Sequence, residues 1–87
     1  MRFEVFEGPR SIATVSLRAD GRVLLRARDE GARDRILPHF QADPGAQEGL
    51  EVVTEETFDP LRFESLCGEL AEQTGLSVAP RPAGAEG

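Results

Sequence analysis

The sequence predicts an α+β domain: an antiparallel β-meander sheet of three to five strands with two helices packed on one face. Three observations carry that expectation. Residues 3–28 fall into three runs of alternating apolar and polar side chains, interrupted at Gly8-Pro9-Arg10 and Ala19-Asp20-Gly21, which is the period-two pattern of half-buried strands. Residues 60–74 place their apolar side chains at i, i+3, i+4 and i+7, the period of an amphipathic helix. The chain has 87 residues, enough for one domain that buries roughly 60% of its unfolded surface around a small core.

The strand register follows from the pattern. A two-residue loop at Asp20-Gly21 would set Val15 beside Arg26 and Ala13 beside Arg28. A three-residue loop at 19–21, with Gly21 left-handed as a bulge, instead pairs Leu17 with Val23, Val15 with Leu25 and Ala13 with Ala27. A one-residue slip turns every side chain to the opposite face, so the second register is expected. A loop at 8–10 in the first hairpin sets Val5 beside Ala13 and Phe3 beside Val15. The core face then holds Phe3, Val5, Ala13, Val15, Leu17, Val23, Leu25 and Ala27. The outer face holds Arg2, Glu4, Phe6, Ile12, Thr14, Ser16, Arg18, Arg22, Leu24, Arg26 and Arg28.

Asp29 is placed to cap a short helix over 30–37 that buries Ala32 and Ile36. Pro38 ends or kinks it, because a proline past the first turn lacks a backbone donor and clashes with the preceding turn. Residues 41–49 read as a loop turning at Asp43-Pro44-Gly45, and 50–54 as a short strand. Asp59 caps the 60–74 helix, Pro60 opens it and Gly75 closes it. Phe63, Leu66, Cys67, Leu70, Ala71 and Thr74 form its apolar stripe. Residues 76–79 suggest an edge strand ended by Pro80. A single domain is therefore expected over 1–79, with 80–87 as a flexible tail. Its core is expected to contain Phe3, Val5, Val15, Leu17, Leu25, Ile36, Val52, Phe63, Leu66, Cys67 and Leu70.

Composition narrows function. At 39% hydrophobic and 30% charged residues the chain reads as an ordinary soluble domain. No apolar run approaches the ~20 residues of a membrane span, and the N-terminus lacks the apolar core of a signal peptide. A cytoplasmic protein of bacterial type, without a membrane partner, is expected. One cysteine excludes an internal disulfide framework and a four-cysteine zinc site. No cofactor is implied, since the chain has neither a phosphate-cradling glycine loop nor a G-x-G-x-x-G after a strand.

The stretch 18–35 carries six of the ten basic residues, all arginine, in a chain of net charge −6. Lysine is absent throughout, and an arginine-biased, GC-rich coding sequence is the simplest account. Arg18, Arg22, Arg26 and Arg28 could form a ladder for nucleic-acid or nucleotide phosphates. Against this, six arginines in that window meet four acids, for a net of only +2. Stacking aromatics, which accompany single-strand binding, are limited on that face to Phe6. The same face reads better as a protein contact. Phe6, Ile12 and Leu24 stand among arginines, the cation favoured at interfaces. Residues 1–40 carry eight arginines against six acids, net +2, while residues 41–75 carry nine acids against Arg62, net −8. Such opposed fields favour encounter between copies, and a homodimer is the expected assembly.

Two chemical alternatives are weaker. Glu51, Glu55, Glu56 and Asp59 cluster between a strand end and a helix start and could in principle hold a hard cation, but they lack calcium-loop spacing. Acids also belong at a helix N-terminus for its dipole. Cys67 and His39, the only thiol and imidazole, could form a dyad, yet Cys67 lies mid-stripe in the helix, where a small hydrophobe is expected. The sequence thus points to a small, acidic, non-enzymatic interaction module acting through its outer sheet face. Phosphate binding by the arginines is the alternative, and a carboxylate–metal enzyme comes third.

Overall fold

The computed structural model describes residues 1–40 and 49–80. Five strands, β1 (Arg2–Glu7), β2 (Arg10–Leu17), β3 (Val23–Ala27), β4 (Glu51–Val53) and β5 (Ser77–Pro80), form one sheet in the order β4-β3-β2-β1-β5. Every neighbouring pair is antiparallel. Helix α1 spans Glu30–Ile36 and α2 spans Pro60–Thr74. The class is α+β, as the two periodicities require. The Asp43-Pro44-Gly45 turn and the tail from 81 lie outside the described residues.

The second hairpin has the register set by its pattern: Leu17 faces Val23, Val15 faces Leu25 and Ala13 faces Ala27. Arg18 accepts a hydrogen bond from the Gly21 N–H at 3.0 Å, and Gly21 takes φ +87°. The first hairpin differs from expectation. Glu7 pairs with Arg10, so Gly8 and Pro9 alone make the turn, with Gly8 at φ +62°. The residue removed from the loop reappears as a β-bulge. Val5 pairs with Ala13 and Phe6 with Ser11, leaving Ile12 as the extra residue.

That bulge corrects the placement of Ile12. It is 6% exposed and belongs to the core cluster, not to the outer face. Alternation assumes an unbroken ladder, whereas a bulge lets two successive residues, here Ile12 and Ala13, turn to the same side.

Asp29 caps α1 by accepting the Ala32 N–H at 2.8 Å. The helix stops at Ile36, one residue earlier than expected, and continues as a 3₁₀ turn over Leu37–His39 that accommodates Pro38 near its start. This brings Phe40, which the pattern had left unassigned, fully into the core at 2% exposure. Asp59 caps α2 by accepting the Arg62 N–H, and Gly75 closes it in the left-handed conformation. The helix carries the chain from β4 at one edge of the sheet to β5 at the other. Strand β5 includes Pro80, opposite Phe3, where the sequence suggested the tail would begin.

Val5, Val15, Leu25 and Val52 from the strands, Ala32 and Ile36 from α1, and Phe63, Cys67 and Leu70 from α2 form one buried cluster. Phe63 meets Phe3 edge-to-face, with centroids 5.4 Å apart, a geometry that adds attraction between ring edge and ring face. Phe3, Leu17 and Leu66, expected in the core, line its rim, while Leu76 joins it fully.

The tip of the second hairpin also seats the chain before α2. The Gly21 carbonyl accepts the Phe58 N–H at 2.7 Å, and a Cβ at Gly21 would lie 3.3 Å from the Thr57 Cβ. At Gly8 a Cβ would meet nothing within 4 Å. Both glycines are left-handed, so alanine at either carries a strain of roughly 1–2 kcal/mol. Gly21→Ala should lower the urea midpoint more than Gly8→Ala, because it adds a steric contact. Equal losses would show that Thr57 moves aside without penalty.

Candidate functional site

The register defines the outer side of the sheet row by row. Val53, Leu24, Ser16 and Arg2 lie abreast, and so do Glu51, Arg26, Thr14, Glu4 and Ala79. Ser11, Phe6 and Ser77 form a third row. None of these residues belongs to the core cluster. Phe6 and Leu24, half-buried, stay on this side as expected. Val53, beside Leu24, is the further apolar residue on this side, and at 6% exposure it is itself buried. The Val52-Val53 doublet was the available signal, since one of two neighbours in a strand must face outward. A depression of about 280 Å³ lies among Arg2, Thr14, Ser16, Leu24 and Arg26.

The arginines here are engaged within the chain. Arg26 donates through Nε and Nη2 to Glu51 Oε2, at 2.8 and 2.7 Å. Arg18 pairs with Asp20 at 3.1 Å. Arg22 donates from Nε to the Thr54 carbonyl at 2.8 Å, and Arg28 from Nη1 to the Ser11 carbonyl at 3.4 Å. Further along the stretch, Arg33 bonds Asp34 and the Gly49 carbonyl, and Arg35 pairs with Glu7. The ladder is therefore laced with its own acceptors. An exposed pair such as Arg26–Glu51 adds about 0.2–1 kcal/mol to stability. Its larger effect is to cancel positive charge where a phosphate would need it.

The acidic segment is dispersed. Glu51 serves Arg26, Glu56 lies 3.5 Å from Arg62, Asp59 caps α2 and Glu55 is exposed. Among the described residues no three His, Cys, Asp or Glu side chains are grouped to hold a metal. Cys67 is 2% exposed inside the core cluster. His39 sits on the 3₁₀ turn with Nδ1 2.7 Å from Gln73 Oε1. The two occupy different surroundings and form no hydrogen bond.

What sequence reasoning missed is a cleft of about 200 Å³ lined by His39, Thr54, Glu56, Phe58, Arg62, Leu66 and Glu69. Thr54, buried at 1%, builds one wall. Its hydroxyl accepts the Val23 N–H at 3.0 Å and donates to the Glu56 carbonyl at 2.9 Å. The residues come from three separated segments, and no spacing in the sequence announces them. No known family, characterised protein or solved structure matches the chain, so its own geometry carries the functional argument.

Burial, with a smaller contribution from the Glu64 carboxylate, pushes the Cys67 thiol up from its ordinary 9.0 to about 12. A thiol whose folded pKa is raised stabilises the fold fully below its unfolded pKa, and this contribution fades as pH climbs towards the folded value. The chain contains no lysine and no tyrosine, and arginine stays charged throughout. From pH 9 to 12 the stability should therefore fall through Cys67 alone. Urea melts across that range should show the decline in the wild type and a flat profile in Cys67→Ala; a decline of equal slope in both would refute the assignment.

Proposed function

We propose that the protein is a small non-enzymatic interaction module that pairs with a second copy of itself through the outer side of its sheet. The observation that carries this reading is the apolar side chain of Leu24, half-buried beside the buried Val53, with half-buried Phe6 two strands away, on the side of the sheet that lies outside the main core cluster. Around these apolar groups the charges are already matched, as in Arg26–Glu51. Matched charges suit an interface between identical copies. A two-fold axis sets the same patch against itself, so Arg26 of one copy can meet Glu51 of the other without a net repulsion. Sheets packed face to face also align their strands within about 30° and share a layer about 10 Å thick, which two such faces can form. Arginine and aromatic residues are favoured in interface centres.

The phosphate reading is disfavoured by the same pairs, since a phosphate would have to displace Glu51 from Arg26 and Asp20 from Arg18. Light scattering with ultraviolet detection separates the two readings. The chain has no Trp and no Tyr, so any strong band near 260 nm that travels with it comes from bound nucleotide or nucleic acid. We expect a dark peak at twice the monomer mass, reduced to a monomer by Leu24→Glu with the thermal midpoint little changed. A wild-type monomer at high concentration, or a Leu24→Glu dimer, would refute the proposed interface.

A further inference from the structure

We propose that the cleft between α2 and residues 54–58 binds a small zwitterion: a carboxylate and an ammonium joined by a short apolar chain. This site shares no residue with the proposed dimer face. Arg62, Leu66, Glu69 and Gln73 follow the i, i+4, i+7, i+11 spacing and form one stripe along α2. Phe58 and Leu66 supply the apolar lining between the polar groups.

At one end the Arg62 guanidinium is held in place. Its Cζ lies 4.9 Å from the Phe58 ring centroid, Nη1 donates to the Thr57 carbonyl at 3.2 Å, and Nη2 reaches Glu56 at only 3.5 Å. Its Nε has no partner among the described residues. A planar, positioned guanidinium with a loose internal contact recognises a carboxylate, which it binds with short paired hydrogen bonds. Towards the other end the open group is a carboxylate. Glu69 makes no hydrogen bond or ion pair among the described residues. His39 Nδ1 faces Gln73 Oε1 at 2.7 Å. An amide oxygen only accepts, so Nδ1 is the donor in this contact.

The Glu69 carboxylate, which only accepts, calls for a group rich in donors, and an ammonium has three. Arg62 and Glu69 are seven residues apart, about 10 Å along a helix. The cleft, at about 200 Å³, has the volume of roughly six or seven waters at ~30 Å³ each. It therefore suits a single small molecule rather than a macromolecular surface. Thr54 has both hydroxyl roles filled within the chain and acts as wall, not as contact.

The single histidine gives a unique imidazole proton resonance, which makes 6-aminohexanoate a direct probe by NMR titration of the full chain. We expect the His39 line to shift saturably, with hexanoate and hexylamine each binding at least tenfold more weakly. Arg62→Gln and Glu69→Gln, both at exposed positions, should each weaken 6-aminohexanoate binding at least tenfold. Glu72→Gln, on α2 outside the cleft, should leave it unchanged. Absence of a shift at the solubility limit would overturn the proposal. So would equal binding of hexanoate, or undiminished binding by either cleft variant with a native spectrum.

Discussion

Gly21 sits at φ +87°, and the rest of the molecule depends on that one backbone conformation. It permits a three-residue turn, and the turn sets Leu17, Val15 and Ala13 against Val23, Leu25 and Ala27. A slip by one residue would send that apolar row into water and bring arginines inward. The same glycine lets the 57–58 backbone approach closely enough for its carbonyl to accept the Phe58 N–H. Thr54 completes the junction from the other side by bonding Val23 through both its backbone N–H and its hydroxyl. Hairpin tip, edge strand and the entry to α2 are thus one connected unit, and the cleft is its outer surface.

The arginine-rich stretch takes on its meaning in this frame. In sequence it resembles a phosphate-binding ladder; in space each side chain described there meets a carboxylate or a backbone carbonyl. Arg22 ties the hairpin to Thr54, and Arg33 ties α1 to Gly49. Arginine suits such work because its planar fork donates in fixed directions. Here the guanidinium groups act largely as polar cross-links at the margins of segments that the hydrophobic core already joins.

Much of this architecture could be read from residues 1–87 without coordinates, because it rests on local rules. Alternation placed Val15 opposite Leu25, and the Asp59-Pro60 start and Gly75 stop bounded α2. Ile12 was misplaced because a binary pattern does not reveal a bulge; the adjacent apolar pair Ile12-Ala13 was the hint. Phe40 and Leu76 were left out of the expected core because each is an isolated apolar residue just past the end of a helical element, one after the 3₁₀ turn and the other after the Gly75 cap of α2, where the helical period no longer runs. The outer sheet face was legible in its Phe6, Leu24 and arginine members. The cleft was not, since His39, Phe58 and Glu69 meet only after three segments have been folded together.

The strand order carries a further consequence for how the chain reaches this state. β1, β2 and β3 are joined by tight turns, so their pairing closes only short loops and belongs to the fast, local phase of folding. Their meander is flanked by β4 and β5, which α2 connects across the full width of the sheet. Until that connection is made, both margins of the meander offer unpaired backbone donors and acceptors, the surface on which strands of neighbouring chains add. Helix α2 therefore limits strand exchange in time as well as in space, and Pro80, which has no N–H to offer, leaves the β5 margin a poorer template once it is in place.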